Sequence, residues 1–382
     1  MKFKIKHAVI TAVNAVAVTA VCILTIVGNS MAKSQQYNYA ADRWKNDSKE
    51  NFAQVSTFFT DDSGFSTDSL NAVRAGLIKE LQNASFETES ETLPFADSYS
   101  SSIGTVTVKG DLTGKSDADI TAVGGDFFLF RNFELVNGSF FSENDLMQDG
   151  AVIDRSLAWS LYGSYEVSGM NLYINGVKFY ISGVIENPET KPEKHCAGKL
   201  PKIYISYDGA SSLSMLSTES SNSENNSADI SAVPSVTGFK NINCYETVLP
   251  DPVENFAYNA VKTQFSESYK DKCSIVKNSV RFSPSARVKA FKKISDYAVV
   301  KKSINYPYWE NASRLIEFKL SFIYFFRQLL FAVPVLTLLW LAVLAIKFLK
   351  KKKPAVLRAV SIFIDRRRRD IKQKFTEKQK KV

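Results

Sequence analysis

Histidine is almost missing from this chain of 382 residues: there are two, His7 and His195. His7 stands in a short basic start, so one histidine remains for everything that follows, and a multi-histidine metal site is excluded. No GxxxxGK[ST] loop occurs, and the glycines form no dinucleotide fingerprint, so the chain carries no P-loop for hydrolysing ATP. A nucleophile motif to pair with His195 in a Ser/His/Asp arrangement is also missing. Cysteine is sparse. Cys22 lies in an apolar run, and Cys196, Cys244 and Cys273 leave an odd number outside it, enough for one disulfide of open pairing. His195 next to Cys196 raises a reactive thiol, but neighbours in sequence have no fixed geometry, and a structural cysteine is the simpler expectation. No catalytic, cofactor-binding or metal residues are assigned, and an enzyme is not expected.

What is present is a charge pattern. The net charge is +9, yet Lys2, Lys4 and Lys6 and the 15 Lys/Arg of residues 347 to 382 make both ends basic and leave the middle net acidic. Each basic end abuts a long apolar run, which the positive-inside rule reads as cytoplasmic anchoring rather than a nucleic-acid groove. From Ala8 to Val27 the chain reads AVITAVNAVAVTAVCILTIV without a charge, long enough to span a bilayer core. A cleavable signal competes, because Gly28, Asn29, Ser30, Met31 and Ala32 are small enough for cleavage; the run exceeds the usual apolar region of about 7 to 15 residues, which favours an uncleaved anchor. The second run, QLLFAVPVLTLLWLAVLAI from Gln328 to Ile346, stops against Lys347 and Lys350 to Lys353, with Pro334 placed to kink it and Arg327 at its outer edge.

These features divide the chain into a cytoplasmic start (1–7), a first span (8–28), an extracytoplasmic domain (29–326), a second span (327–347) and a basic cytoplasmic tail (348–382). The expected location is the plasma (cytoplasmic) membrane, crossed twice, with both termini cytoplasmic. The lipid bilayer is one expected partner. In the tail, Val360, Ile362, Phe363, Ile364 and Ile371 among Arg366 to Arg369 fit either a basic amphipathic helix on anionic lipid or a solvated tail. Ala8, Ala12, Ala15 and Thr19 form a small-residue face suited to a homo- or heterodimer of spans.

Within the outer domain, Tyr37, Ala40, Ala41, Trp44, Phe52 and Val55 are spaced as one stripe and predict a stalk helix over residues 33 to 59. Ser66 or Thr67 should cap a helix from Asp68 to Leu81 bearing Leu70, Val73, Leu77, Ile78 and Leu81. From Ile103 to Ile185, period-two runs and the pairs Asn137-Gly138, Asp149-Gly150 and Asn175-Gly176 signal strands and hairpins, around a helix begun by Asp154 and stopped by Gly163. Glu143, Asp145, Asp149 and Asp154 fit neither a calcium loop nor a glycosidase pair, and read as a solvated turn with helix caps at Asp145 and Asp154. Asp208 to Ser235 is rich in Ser, Asn and Glu and predicts a disordered loop. Then TGFKNINCYETVL and KCSIVKNSVRF read as strands around a helix begun near Asp251-Pro252, and a second stalk helix from Trp309 to Phe326 runs into the second span, packed beside the first.

The stretch from Val123 to Glu186 resembles the MacB-like periplasmic core domain of ABC-transporter permeases, the family that also includes FtsX-like permeases. The resemblance rests on a GDFF entry at Gly125 to Phe128, and a glycine-led step at Gly138 to Phe141 with Ser139 where arginine is common. It continues through a strand and helix at Ala151 to Gly163 and a hairpin at Val167 to Val184. It is strong over that stretch and diffuse elsewhere. It implies an α+β fold, a mixed α/β two-lobed extracytoplasmic domain joined by helical stalks to the membrane. It also implies a non-catalytic role coupled to a P-loop ATPase subunit, with a full-length permease as a further partner. Permeases of this type have four spans, whereas one span and a basic tail follow the domain here. A stand-alone surface binding or sensory protein on the same scaffold is the competing expectation.

Overall fold

The structure is a computed structural model that describes residues 2–45, 50–86, 94–111, 114–186, 190–211, 213, 241–297 and 302–379. It divides into two compact units, Met1–Val27 with Ile323–Val382, and Gly28–Phe322.

The first unit holds most of α1 (Lys2–Lys33) and of a long helix, Tyr308–Gln379, numbered α10 below. Two segments are long and apolar enough to cross a membrane, His7–Lys33 and Tyr308–Lys350. On α1 the less exposed stripe runs through Asn14, Ala17, Val21 and Leu24, at alternating steps of three and four. Thr337 donates its hydroxyl to Asn14 Oδ1 at 2.9 Å, so the two helices share a polar contact amid apolar residues. Ala8, Ala12, Ala15 and Thr19 lie on the exposed side. Pro334 lies within helix.

The second unit is built on a sheet of β1 (Phe52–Phe59), β2 (Ala96–Gly110), β3 (Lys115–Gly125), β4 (Glu134–Gly138), β5 (Gly150–Asp154), β6 (Asn171–Ile174), β7 (Val177–Glu186), β8 (Lys202–Ser206), β9 (Cys244–Pro250) and β10 (Cys273–Lys277). Their order is β10-β1-β9-β2-β3-β8-β5-β7-β4, with β6 pairing β2 and β7. The β3/β8 and β5/β7 pairs are parallel and the others antiparallel. The long β2–β3 ribbon joins two halves: β2 pairs β9 through residues 96–100 and β6 through 108–110.

Local chemistry accounts for the element ends. Ser66 accepts from the Ser69 amide to start α3 (Thr67–Asn83), whose Leu70, Val73, Leu77 and Leu81 are buried. Asp154 accepts from the Leu157 amide to start α5 (Arg155–Tyr162), and Gly163, with φ +69°, ends it. Asn175 and Gly176 both take positive φ between β6 and β7, the backbone that a tight two-residue hairpin requires. At Gly138, φ is +76° and an added Cβ would lie 2.2 Å from the Ser182 carbonyl oxygen, so glycine is obligatory there.

Several expectations are corrected. Residues 33–59 do not form a stalk helix: α1 ends at Lys33, a 3-10 turn spans Gln36–Asn38, α2 is Ala40–Lys45, and Phe52 and Val55 lie in β1. The tract FAQVSTFF is β-branched and aromatic, and its burial on both faces suits a central strand, which a helical stripe read across the break conceals. Asp145 starts no helix; its carboxylate accepts from the Ser142 amide at 2.9 Å in a turn. The helix expected near Asp251-Pro252 is α7 (Phe256–Phe265), and residues 278–281 are helical rather than strand, forming α8 (Asn278–Arg281) after β10. Residues 208–211, the start of the expected disordered loop, are helical, and 214–235 lie outside the described residues. The four cysteines are free. Cys244 and Cys273 pair with Phe58 and Phe59 from opposite sides of β1, so two inter-strand spacings of about 4.8 Å separate them, beyond disulfide reach.

Candidate coupling junction

The most unusual chemistry in the second unit is buried charge, gathered where the chain leaves α1 and where it enters α10. Trp309, Ala312, Ile316 and Leu320 of α10 are buried at helical spacing. Glu310 and Glu317, two turns apart on the same helix, are also buried. They meet Arg281, at the end of α8 and 3% exposed. Its guanidinium donates to Glu310 at 2.7 and 3.0 Å, to Glu317 at 3.2 Å and to Asn38 Oδ1 at 2.9 Å. Burial works against the charge of Arg281, and Glu310 and Glu317 overcome it, holding the group protonated more firmly than a free arginine. Arg287, on α9 (Pro284–Phe291), lies 3.1 Å from Glu317, and Arg314 lies 2.8 Å from Glu310.

Asn38 ties this cluster to the other end of the domain. Its amide donates to Ser313 Oγ at 2.8 Å, and its carbonyl oxygen accepts from Asn278 at 3.0 Å as well as from Arg281. Five residues after α1 the chain is thus bonded to α10 and α8 together.

A second buried cluster sits beside the first. Gln54 of β1 donates to the Tyr37 carbonyl at 2.8 Å and accepts from the Ala40 amide at 2.9 Å, so β1 reads both backbone polarities of the post-α1 segment. Glu246 of β9 accepts from Ser56 Oγ at 2.8 Å, from Gln54 at 3.4 Å, and from Arg131. Arg131 closes α4 (Phe127–Arg131), and its side chain is fully buried. Its guanidinium lies 4.1 Å from the Trp309 ring centroid, 4.9 Å from that of Phe127 and 5.6 Å from that of Tyr37. Burial lifts the Tyr37 and Tyr204 hydroxyls far above their ordinary titration range, so both stay neutral. Tyr204 and Tyr308 share a hydrogen bond of 3.0 Å.

The residues singled out in the sequence do not assemble. Glu143 accepts from the Tyr99 hydroxyl at 3.2 Å and lies 3.6 Å from Arg74. Asp154 is buried and accepts from the amides of Leu157 and Lys202 and from the Ser156 hydroxyl, each at 2.8 Å. His195 and Cys196 lie on α6 (Lys191–Ala197), a helix begun by a Thr190–Glu193 capping box. Among the described residues no three His, Cys, Asp or Glu side chains gather as a metal site. Sequence reading missed Asn38, Gln54, Arg131, Glu246, Arg281, Glu310 and Glu317. A signal existed for some of them: Arg131 in FFLFRNF and Glu246 in CYETVL are charges inside mainly apolar runs, and Glu310 and Glu317 are acids at i, i+7 on one helix face.

A mixed α/β domain whose entry and exit segments share one buried network, set between two helices fit to cross a membrane, is the architecture of an extracytoplasmic domain carried by a membrane protein. The MacB-like periplasmic core domain model matches residues 11–237, more than half of the chain, and the chain belongs to that family. Among curated relatives, the macrolide export ATP-binding/permease protein MacB of Vibrio parahaemolyticus is 29% identical over 119 residues, covering 30% of this chain and 18% of the relative. The protein of the same name from Nitrobacter winogradskyi is 31% identical over 74 residues, covering 19% of this chain and 12% of the relative. The chain therefore matches less than a fifth of the length of either. Among solved structures, the periplasmic region of MacB from Actinobacillus actinomycetemcomitans is similar with a TM-score of 0.37 at 13% identity, over 59% of this chain and 89% of that one. The extracellular domain of the noncanonic ABC-type transporter YknZ from Gram-positive bacteria gives 0.37 at 11% identity, over 59% and 100%.

Proposed function

We propose that this chain is a non-catalytic, permease-like membrane subunit of an ABC-transporter assembly. It couples its extracytoplasmic domain to a partner P-loop ATPase, for export or mechanotransmission. The supporting observation is the junction. Asn38, shortly after α1, and Glu310, in the first turn of α10, are bonded to the same guanidinium, so displacement of either segment is carried to the other and to the sheet. The spans are assigned to 8–28 and 327–347, the outer domain to 29–326, and both termini with the basic tail (348–382) to the cytoplasmic side of the plasma membrane, following the placement of lysine and arginine. A homo- or heterodimer, with a full-length permease as the second partner, is the assembly assigned to it.

The test is isolation of the intact protein from its native membrane in mild detergent, with mass spectrometry and an ATPase assay of the eluate. Stoichiometric recovery of a P-loop ATPase, lost when the tail from Leu349 onward is deleted, supports the reading. Repeated absence of an ATPase with the protein intact overturns it in favour of a stand-alone surface binding protein.

A further inference from the structure

Arginine carries five N–H donors on three nitrogens and accepts nothing, so a buried arginine is at ease only when acceptors surround it. Arg281 meets that condition, since Nε, Nη1 and Nη2 each have a carboxylate or carbonyl partner. Arg131 does not. Its Nη2 donates to Glu246, while Nε and Nη1 have no hydrogen-bond acceptor among the described residues, and the indole Nε1 of Trp309 lacks one too. Three ring faces stand where acceptors would be, which gives attraction to the charge without satisfying the donors. A further cation stands nearby: Arg43 donates to the carbonyls of Leu129 and Phe130 at 2.9 to 3.1 Å, and burial followed by the charge of Arg131 makes it easier to deprotonate than a free arginine.

Two of the three rings belong to the segments that follow α1 and open α10: Tyr37 lies in the turn after α1, and Trp309 in the first turn of α10. We propose that Arg131 is a release latch of the junction, holding Tyr37 and Trp309 against the sheet through one carboxylate and the ring faces, and letting them part while the Arg281 cluster stays closed. The physical asymmetry sets this order. Moving Trp309 away exposes donors that water can satisfy, so the loss of ring contacts is partly offset. Moving Glu310 away strips paired charges from one another in the interior, with no such compensation. The first turn of α10 is then the pivot, tethered by Glu310 and released at Trp309. The latch rests on the relay reading for its biological meaning, and on the geometry alone for its existence.

Hydrogen exchange followed by mass spectrometry on the full-length chain in detergent micelles tests it. In the unaltered protein, residues 35–37 and 306–309, which lie outside the Arg281 cluster, should exchange before segment 278–287, at least about tenfold faster, because their opening is local. Exchange of all three together overturns the latch. Replacing both latch charges, Arg131→Met with Glu246→Gln, keeps an acceptor for Ser56 and removes the two unmet guanidinium donors, so exchange in 35–37 and 306–309 should slow about tenfold while 278–287 is unchanged. Unchanged or faster exchange in a variant that remains folded overturns the proposal, and if the variant does not fold, the order of opening in the unaltered protein decides. No ATPase is needed for either readout, so a failed isolation of an ATPase sinks the relay without touching the latch, and uniform exchange sinks the latch without touching the relay.

Discussion

Arg281 and Arg131 are both buried, both face carboxylates and both touch the start of α10, yet they are opposite kinds of anchor. Around Arg281, every guanidinium nitrogen and both carboxylates are engaged, and Asn38 brings the post-α1 segment into the same network. Around Arg131, a single carboxylate and aromatic faces hold a charge whose other donors are unmet. A guanidinium with every nitrogen paired fixes position, because removing a partner strands buried charge. A half-paired one holds position with less free energy to lose on opening. The difference teaches that clamping and release can be assigned to neighbouring residues of one helix, Glu310 and Trp309.

The sharpest way to break that comparison is to remove each arginine in turn. Arg281→Met leaves Glu310 and Glu317 buried with reduced compensation and should cost about 3 to 5 kcal/mol. Arg131→Met made together with Glu246→Gln strands no buried charge, keeps an acceptor for Ser56 and removes the unmet guanidinium donors, so a loss of no more than about 1 kcal/mol is expected. Denaturant titration of the two variants and the parent in the same detergent checks the order, and equal losses would erase the distinction between clamp and latch.

A smaller effect isolates the tether between the two chain segments. Asn38→Ala removes the donor to Ser313 and the acceptor for Asn278 and Arg281, while every carboxylate keeps its arginine. The expected loss is about 2 kcal/mol, since buried partners are left without their bonds. If Asn38→Ala instead matches Arg281→Met, the ion pairs depend on the asparagine for their geometry and the cluster acts as one unit, which a double-mutant cycle of the two would show as coupling.

Much of this architecture was legible in the chain. The span-length apolar runs, the caps at Ser66 and Asp154, the stop at Gly163 and the Asn175-Gly176 hairpin are local signals, decided within a few residues. The post-α1 segment was not legible, because Tyr37, Ala40, Ala41, Phe52 and Val55 share a spacing by coincidence across a break that no glycine or proline marks. The junction was hidden for a different reason. Arg131, Glu246, Arg281 and Glu310 lie far apart in sequence, and whether a charge in an apolar run is a surface residue or a buried partner depends on what the fold brings opposite it. The incongruity of Arg131 inside FFLFRNF and of Glu246 inside CYETVL was visible, but not that the two are partners.

The weakest expected effect extends the comparison to a third charge. Glu193 of α6 is buried, bonds to Thr190, and adds to the electrostatic pressure that keeps the Tyr37 hydroxyl neutral, so it lies on the latch side. Burial raises its pKa above the ordinary glutamate range, with Thr190 opposing the shift. A carboxylate whose folded pKa exceeds its unfolded one contributes fully at low pH, and that contribution is lost as pH rises through the folded value. Glu193→Gln keeps an acceptor for the Thr190 amide and carries no charge. It should therefore be more stable than the parent at pH 7.5 by about 0.5 kcal/mol, with the gap closing at pH 4, where the parent carboxyl is largely protonated. A gap that persists at pH 4 would trace the effect to packing, and a loss at pH 7.5 would mean that the latch side compensates this charge as fully as the Arg281 cluster compensates its own.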